Sequence, residues 1–307
     1  MRQQLLGLMR IPDFAFRHPG LDRAEPMRTH PAELDAAWAD ARLLVLNEQG
    51  EACCYSASEI YYPATSVSLR RPESATLLGF DAGQATFALP LDAQAHVPHE
   101  AIGIRAAAVQ WPEMDAAIFA QAKAILHWQA QSKFCGRCGG LLDLKTAGYS
   151  AVCGGCGLAS YPQTHPATIM CVSDGEHLLL GRQAAWPEKR WSLLAGFVEP
   201  GESPEQTVVR EVWEESGVRV ERVRYVASQP WPMPMALMVG YDAYAPMQAI
   251  NISDELQFAR WFSREELKAL VVADELTLPD PLSISRYLIM RWLHADSAVA
   301  EFWHTTA

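Results

Sequence analysis

Gly196-Phe-Val-Glu-Pro-Gly-Glu-Ser-Pro-Glu-Gln-Thr-Val-Val-Arg-Glu-Val-Trp-Glu-Glu-Ser-Gly-Val218 reads as loop, helix, loop. Ser203 is a suitable N-cap, Pro204 stands at the first helical position where its missing N–H costs nothing, and Gln206 completes a capping-box spacing. Gly217 supplies the left-handed residue that ends the helix. Between these signals Glu211, Glu214 and Glu215 fall at i, i+3 and i+4 and share one face, while Val208 and Val212 form an adjoining apolar stripe. One face docks and the next gathers charge.

Carboxylates so spaced repel by roughly 0.2–0.5 kcal/mol for each exposed pair, and the plain reading is a solvated acidic face. Against it stand Arg210 inside the cluster, Glu202 just before the helix, and glycine-bearing turns at both ends. A clustered set of hard oxygen ligands is what Mg²⁺ or Mn²⁺ needs, and such ions complete their shell with substrate phosphates. The stretch resembles the Nudix box, G-x5-E-x7-R-E-U-x-E-E-x-G-U with U aliphatic. Every specified position is matched: Gly196, Glu202, Arg210, Glu211, Val212, Glu214, Glu215, Gly217 and Val218.

The chain has 307 residues, half of them apolar, enough for two domains with cores of their own. Its 36 acidic against 25 basic residues give a net charge of -11, which disfavours unspecific grip on a nucleic-acid backbone. Any nucleic acid is expected at one local site. No apolar run is long enough to span a membrane, and Met1–Arg10 is too short and interrupted for a secretory signal. Four of the seven cysteines fall in two Cys-x-x-Cys pairs, which suits metal ligation in a reducing cytoplasm better than a disulfide framework.

Residues 1–130 show short apolar runs, among them Ala41–Leu46 and Ser74–Phe80, punctuated by Pro, Gly and Asp, as in the strands of a small mixed domain. Asp115–Gln131 places Ile118, Ala122, Ile125 and Leu126 at helical spacing, so a linking helix should pack onto that domain. Cys53 and Cys54, adjacent in an apolar context, read as buried small hydrophobes rather than redox centres. Arg105, just before that helix, resembles an arginine that the family uses near its substrate.

Cys135-Gly-Arg-Cys138 and, after a fourteen-residue gap, Cys153-Gly-Gly-Cys156 follow. Each pair is a knuckle whose glycines permit the tight turn that points both sulfurs at one ion, and two knuckles close a tetrahedral zinc site. Such a closed site has no open position for water, so one Zn²⁺ per chain is expected to be structural. A redox dithiol and a nucleic-acid-binding ribbon are the competing readings. The loop between the knuckles carries a single lysine, Lys145, and no basic patch.

Beyond the ribbon (131–162), Pro166–Val172 and Gly175–Arg182 read as a hairpin, and Arg224–Ser228, Leu237–Tyr244 and Glu255–Phe262 as further strands. Ser263 and Ser283 start helices. The expected class is α+β: a Nudix α/β/α sandwich with a mixed sheet over 163–300, preceded by the zinc ribbon and by an N-terminal domain. No internal repeat is visible, yet the resemblance implies that the N-terminal domain is a degenerate Nudix copy.

The box implies hydrolysis of a nucleoside diphosphate linked to another moiety. Ser228-Gln-Pro-Trp-Pro-Met-Pro-Met-Ala-Leu-Met238 narrows it, because it is similar to the S-Q-P-W-P-F-P-x-S of NADH pyrophosphatases, with Met233 in place of Phe and Ala236 in place of Ser. For an isolated Pro-Trp-Pro the plain reading is a rigid turn with a buried Trp. The resemblance implies an NAD(H) diphosphatase that yields NMN(H) and AMP, with removal of NAD caps from RNA 5′ ends in some members, and a homodimer. It also implies that Glu211, Glu214, Glu215, Glu255 and the Ala195 carbonyl hold Mg²⁺ or Mn²⁺, with Glu215 also orienting the attacking water. The substrate pocket would take Phe197 against nicotinamide, with Tyr161, Gln229, Pro230, Trp231, Pro232, Met233, Pro234, Met235, Ala236, Ser285 and Arg105. Arg210 is read as pairing with carboxylates. Two alternatives stand: a Nudix hydrolase of ADP-ribose or another dinucleotide, and a zinc-ribbon RNA-binding or nucleotide-sensing protein.

Overall fold

The computed structural model describes residues 14–18, 20–54, 59–91, 100–294 and 302–303; Met1–Arg10 lies outside the described residues. The chain divides into two compact units, one of His18–Thr164 with Pro232–Met235, the other of Met1–Arg17, His165–Trp231 and Ala236–Ala307.

In the first unit the helix α1 (Pro31–Trp38) precedes strands β1 (Arg42–Leu46), β2 (Ala52–Cys54), β3 (Tyr62–Pro63), β4 (Thr76–Asp81), β5 (Gln84–Pro90) and β6 (Glu100–Ile102). They form a six-stranded sheet of order β4-β5-β1-β2-β6, with β3 also paired to β1. Helices α2 (Ile104–Gln110) and α3 (Glu113–Gln131) follow, and α3 lies on β1, β4 and β5. Ile118, Ala122, Ile125 and Leu126 are buried, as their spacing predicts. Cys53 and Cys54 are buried in the sheet, and burial pushes the Cys54 thiol up to about 11, so they are core residues and poor nucleophiles. The ribbon adds a three-stranded antiparallel sheet, β7 (Leu142–Lys145), β8 (Ser150–Cys153) and β9 (Ala159–Ser160).

The second unit contains β10 (His165–Ser173), β11 (His177–Arg182), β12 (Leu194–Phe197), α4 (Pro204–Ser216), β13 (Arg222–Trp231), β14 (Ala236–Tyr244), β15 (Phe258–Ser263), α5 (Arg264–Val272) and α6 (Ile284–Leu293). Its six-stranded sheet has the order β13-β14-β10-β11-β15, with β12 paired to β10. Strand β10 explains the sandwich. Its alternate residues Met170 and Val172 meet Val208 and Val212 of α4 in one core, while Ile169 and Cys171 meet Leu267, Ile284, Leu288 and Trp292 of α5 and α6 in the other. A strand covered on both faces must be apolar at successive positions, and this one is. Full burial of each α4 valine favours docking by roughly 1.5–3 kcal/mol.

The two large sheets are wired alike. In each, the first strand lies at the centre, antiparallel to the second and third and parallel to the fifth. The fourth and fifth strands form an antiparallel hairpin with a bulge in the fourth, and the sixth pairs with the second. The N-terminal domain is thus a copy of the same sheet without a detectable sequence repeat. One part is missing: between β3 and β4 stands a single turn, Ala64–Val67, where α4 joins β12 to β13.

Two strands differ from their sequence reading. Strand β13 runs on through Pro230 to Trp231, because it is an edge strand and a proline there leaves no central ladder bond unmade. The last strand starts at Phe258 rather than Glu255, because the chain before it is bonded elsewhere: the Ser253 N–H donates to the Glu215 carbonyl at 3.3 Å and the Gln257 N–H to the Arg182 carbonyl at 2.9 Å.

Candidate functional site

Local chemistry fixes α4 at both ends. The Gln206 N–H donates to Ser203 Oγ at 3.3 Å and the Ser203 N–H to Gln206 Oε1 at 2.7 Å, a complete capping box. Gly217 closes the helix at φ 69°. This sets Glu211 against β12, where a Cβ on Gly196 would collide with its carboxylate. Glycine at 196 is therefore a steric requirement of the carboxylate, not of a turn.

Arg210 organises the acidic face. Its Nε and Nη2 donate to Glu202 at 3.1 and 2.7 Å, Nη1 to Glu211 and to Glu214 at 2.9 Å each, and Nη2 also to the Phe197 carbonyl at 2.9 Å. Glu202 further accepts from the Glu199 N–H and from Thr207 Oγ1, both at 2.8 Å. Its Arg210 bond, foremost among these, pulls the Glu202 carboxyl down to about 2. Glu202 and Arg210 thus tie the loop before the helix to its acidic face. Thr207, buried beneath them, belongs to this network although its position gives no sequence signal.

Glu215 is different. It is 5% exposed, and burial first, then the charges of Glu211 and Glu255, raise its pKa to about 8. Burial also raises Glu211, against the pull of Arg210 and helped by Glu214 and Glu255. Like charges so held in a half-dry site call for a cation, and the oxygen-only donor set suits a hard divalent one. Glu214 is half exposed and leans on Arg210.

Beside this face Phe197, at the end of β12, leaves its ring 60% exposed. The Ser228–Met238 stretch forms the far end of the β13–β14 hairpin: Pro230 and Trp231 pair with Leu237 and Ala236, and Pro232–Met235 make the turn, with a cis Met233–Pro234 peptide. Gln229 is not an open pocket residue, since it is fully buried and its amide bonds Ala15, Leu282 and Ile284 of the backbone. Ser285 is likewise buried, its Oγ 3.0 Å from Ser192 Oγ. Arg105 lies in α2 and Tyr161 at the end of the ribbon, both in the first unit. Tyr161 lines an open cavity of 390 Å³ with Phe134, Leu142 and Leu158.

The cysteines meet as their spacing predicts. The Sγ atoms of Cys135, Cys138, Cys153 and Cys156 all lie within 4.8 Å of one another, the one such group among the described residues. Cys135 and Cys156 are 3.7 Å apart and Cys138 and Cys153 3.4 Å, near the roughly 3.8 Å edge of a tetrahedron with Zn–S bonds of about 2.3 Å. Backbone N–H groups of the knuckles pull the Cys153 thiol down, while the neighbouring sulfurs push Cys156 up, as expected of four thiols crowded closely enough to share a cation. Gly140 leaves room for the sulfurs, as a Cβ there would sit 3.2 Å from Cys153 Sγ.

Three family models match successive parts of the chain: the NADH pyrophosphatase-like rudimentary NUDIX domain over residues 31–128, the NADH pyrophosphatase zinc ribbon domain over 130–161 and the NUDIX domain over 163–283. The chain is 35% identical over 290 residues, 89% of its own length and 92% of the relative's, to the NAD-capped RNA hydrolase NudC of Mycobacterium bovis (strain BCG / Pasteur 1173P2). It is 40% identical over 204 residues to the NAD-capped RNA hydrolase NUDT12 of Homo sapiens, covering 62% of this chain and 44% of that one.

Proposed function

Because the chain belongs to the Nudix hydrolases of the NADH pyrophosphatase and NAD-capped RNA hydrolase family, we propose that it hydrolyses the diphosphate of NAD(H) to NMN(H) and AMP. The same cut removes NAD caps from RNA 5′ ends. The observation that carries this reading is the acidic face itself, with Glu211 set against Gly196 and Glu215 buried on one capped helix.

In the mechanism we infer, Glu211, Glu214, Glu215, Glu255 and the Ala195 carbonyl hold Mg²⁺ or Mn²⁺. Bound by these residues, such an ion would offset the diphosphate charge and lower the pKa of a nearby water. Glu215, buried beside Glu211, would orient the attacking water. Arg210 is committed to Glu202, Glu211, Glu214 and Phe197 and keeps the face in shape without meeting substrate. Phe197 stacks on nicotinamide, and the hairpin end bounds that side of the pocket. Tyr161 and Arg105 are assigned to substrate, the assembly is a homodimer, one Zn²⁺ per chain staples the ribbon, and the paired cysteines suit a reducing cytoplasm.

The test is incubation with NADH and Mg²⁺ or Mn²⁺, with NMNH and AMP as the expected products and NAD-capped RNA as a second substrate. Preferred hydrolysis of ADP-ribose, with NADH left intact, overturns the reading.

A further inference from the structure

The first described residues of the chain are built into the catalytic unit rather than into the domain that follows them. Phe14 is buried in the core formed with α5 and α6, its ring edge-on to Tyr287 with centroids 5.5 Å apart. The Ala15 N–H donates to the Leu282 carbonyl at 3.0 Å. The Ala15 carbonyl in turn accepts from Gln229 Nε2 at 3.0 Å. The same Nε2 donates to the Leu282 carbonyl at 2.8 Å, and Gln229 Oε1 accepts the Ile284 N–H at 2.8 Å.

One amide without solvent contact therefore joins three stretches of backbone: the N-terminal arm, strand β13 and the start of α6. Ile284 is the first residue of α6, so its N–H has no partner within the helix, and Gln229 supplies one. Both amide hydrogens of Gln229 are used, one of them on the arm. Leaving a buried donor unmet is costly, so the arm belongs to the set. Gln229 stands next to Pro230 and pairs with Met238, inside the stretch that bounds the nicotinamide side. Ser285, the next residue of α6, bonds Ser192, two residues before β12 begins. The joint thus reaches both walls assigned to the pocket.

We propose that the arm around Phe14 and Ala15 is a working part of the catalytic unit, and that Gln229 is a positioning residue through which the arm sets the hairpin end and the start of α6. This rests on the NAD(H) reading for its effect on substrate, but not for the linkage itself. The arm acts on substrate fit and leaves the carboxylates alone, since none of its bonds touches the acidic face.

The experiment uses the full chain with Phe14→Ala, Phe14→Leu and Gln229→Met, the last keeping bulk while losing both polar ends. Phe14→Ala and Gln229→Met should each raise KM for NADH severalfold with kcat within about twofold. Combined, they should do no more than the stronger one alone, because both break one joint. Phe14→Leu, which refills the core, should restore KM. A fall in Tm with KM unchanged, or effects that multiply, overturns the proposal. If Phe14→Ala does not fold, Gln229→Met against the parent gives the same reading. Amide exchange at Ile284 separates the two hypotheses: a parent without NADH turnover sinks the functional reading, and the linkage then stands if Phe14→Ala or Gln229→Met speeds that exchange and falls if neither does.

Discussion

The Glu211 carboxylate fills the space that a β-carbon on residue 196 would need. A substitution as small as Gly196→Ala must therefore move either β12 or the acidic face. Overpacking of this kind costs roughly 1–3 kcal/mol. Because the displaced group is a proposed ligand, kcat for NADH should fall by more than tenfold, equivalent to about 1.4 kcal/mol of barrier, while far-UV circular dichroism stays that of the parent. Turnover near the parental rate would show that Glu211 can leave its place without harm.

Glu215→Gln should abolish turnover, and it should also change how stability depends on pH. The folded-state pKa of Glu215 is raised to about 8 against roughly 4.3 for an unperturbed carboxyl. Between those values the folded state keeps a proton that the unfolded state has released, so stability is full below the unfolded value and is lost as pH rises to the folded one. In metal-free protein the Tm of the parent should fall across this window, and that of Glu215→Gln should fall less. Mn²⁺ should raise the parent Tm at the alkaline end and leave the variant nearly unchanged. Equal slopes in both proteins would assign the pH dependence to other groups.

Arg210→Met removes the guanidinium that holds Glu202, Glu211, Glu214 and the Phe197 carbonyl. The bonds to the largely covered Glu202 and Glu211 matter more than the half-exposed Glu214 arm. Tm should drop, and more Mg²⁺ should be needed for half-maximal rate because the repulsion among the carboxylates is no longer offset. A variant with lower Tm but the parental Mg²⁺ requirement would confine Arg210 to stability.

Cys153→Ser should release zinc and loosen the ribbon, with activity falling only as far as the fold does. Elemental analysis of purified protein reads the first point and thermal melting the second. Full zinc occupancy in the variant would sink the four-cysteine site.

Met233→Phe should give the hairpin turn a rigid ring, adding about 0.5–1.5 kcal/mol if it stacks. The kcat/KM for NADH would then rise severalfold and that for ADP-ribose, which has no nicotinamide, would not. Equal change for both substrates would place Met233 away from the nicotinamide.

The features legible in the sequence are those written by neighbours in the chain. Ser203, Pro204, Gln206 and Gly217 bound α4 because caps act over a few residues, and the cysteine spacing predicts the ribbon because a knuckle is local. The apolar run Pro166–Val172 reads as a strand but does not reveal its two cores, which need α4, α5 and α6 in place. The apolar pattern extends a strand back to Glu255, but the chain there is bonded to the Glu215 and Arg182 carbonyls, contacts that no local pattern records. The motif alone puts Gln229 at the substrate for the same reason, since the partner that buries it, Ala15, is 214 residues away. The repeated sheet escaped notice because strand pairing asks only for apolar residues at alternate positions, which many unrelated sequences supply.

The bond between Ala15 and Gln229 also sets a timetable for synthesis. Elongation at about 5–20 residues per second separates the two by roughly 10 to 40 s, during which the first unit, lying between them in the chain, can leave the ribosome. Phe14, made long before α6, must wait until α6 has been made before its site exists. The nascent catalytic unit therefore closes only when segments made before and after the first unit meet, and a chain stalled before α6 leaves that phenylalanine in water, available to chaperones.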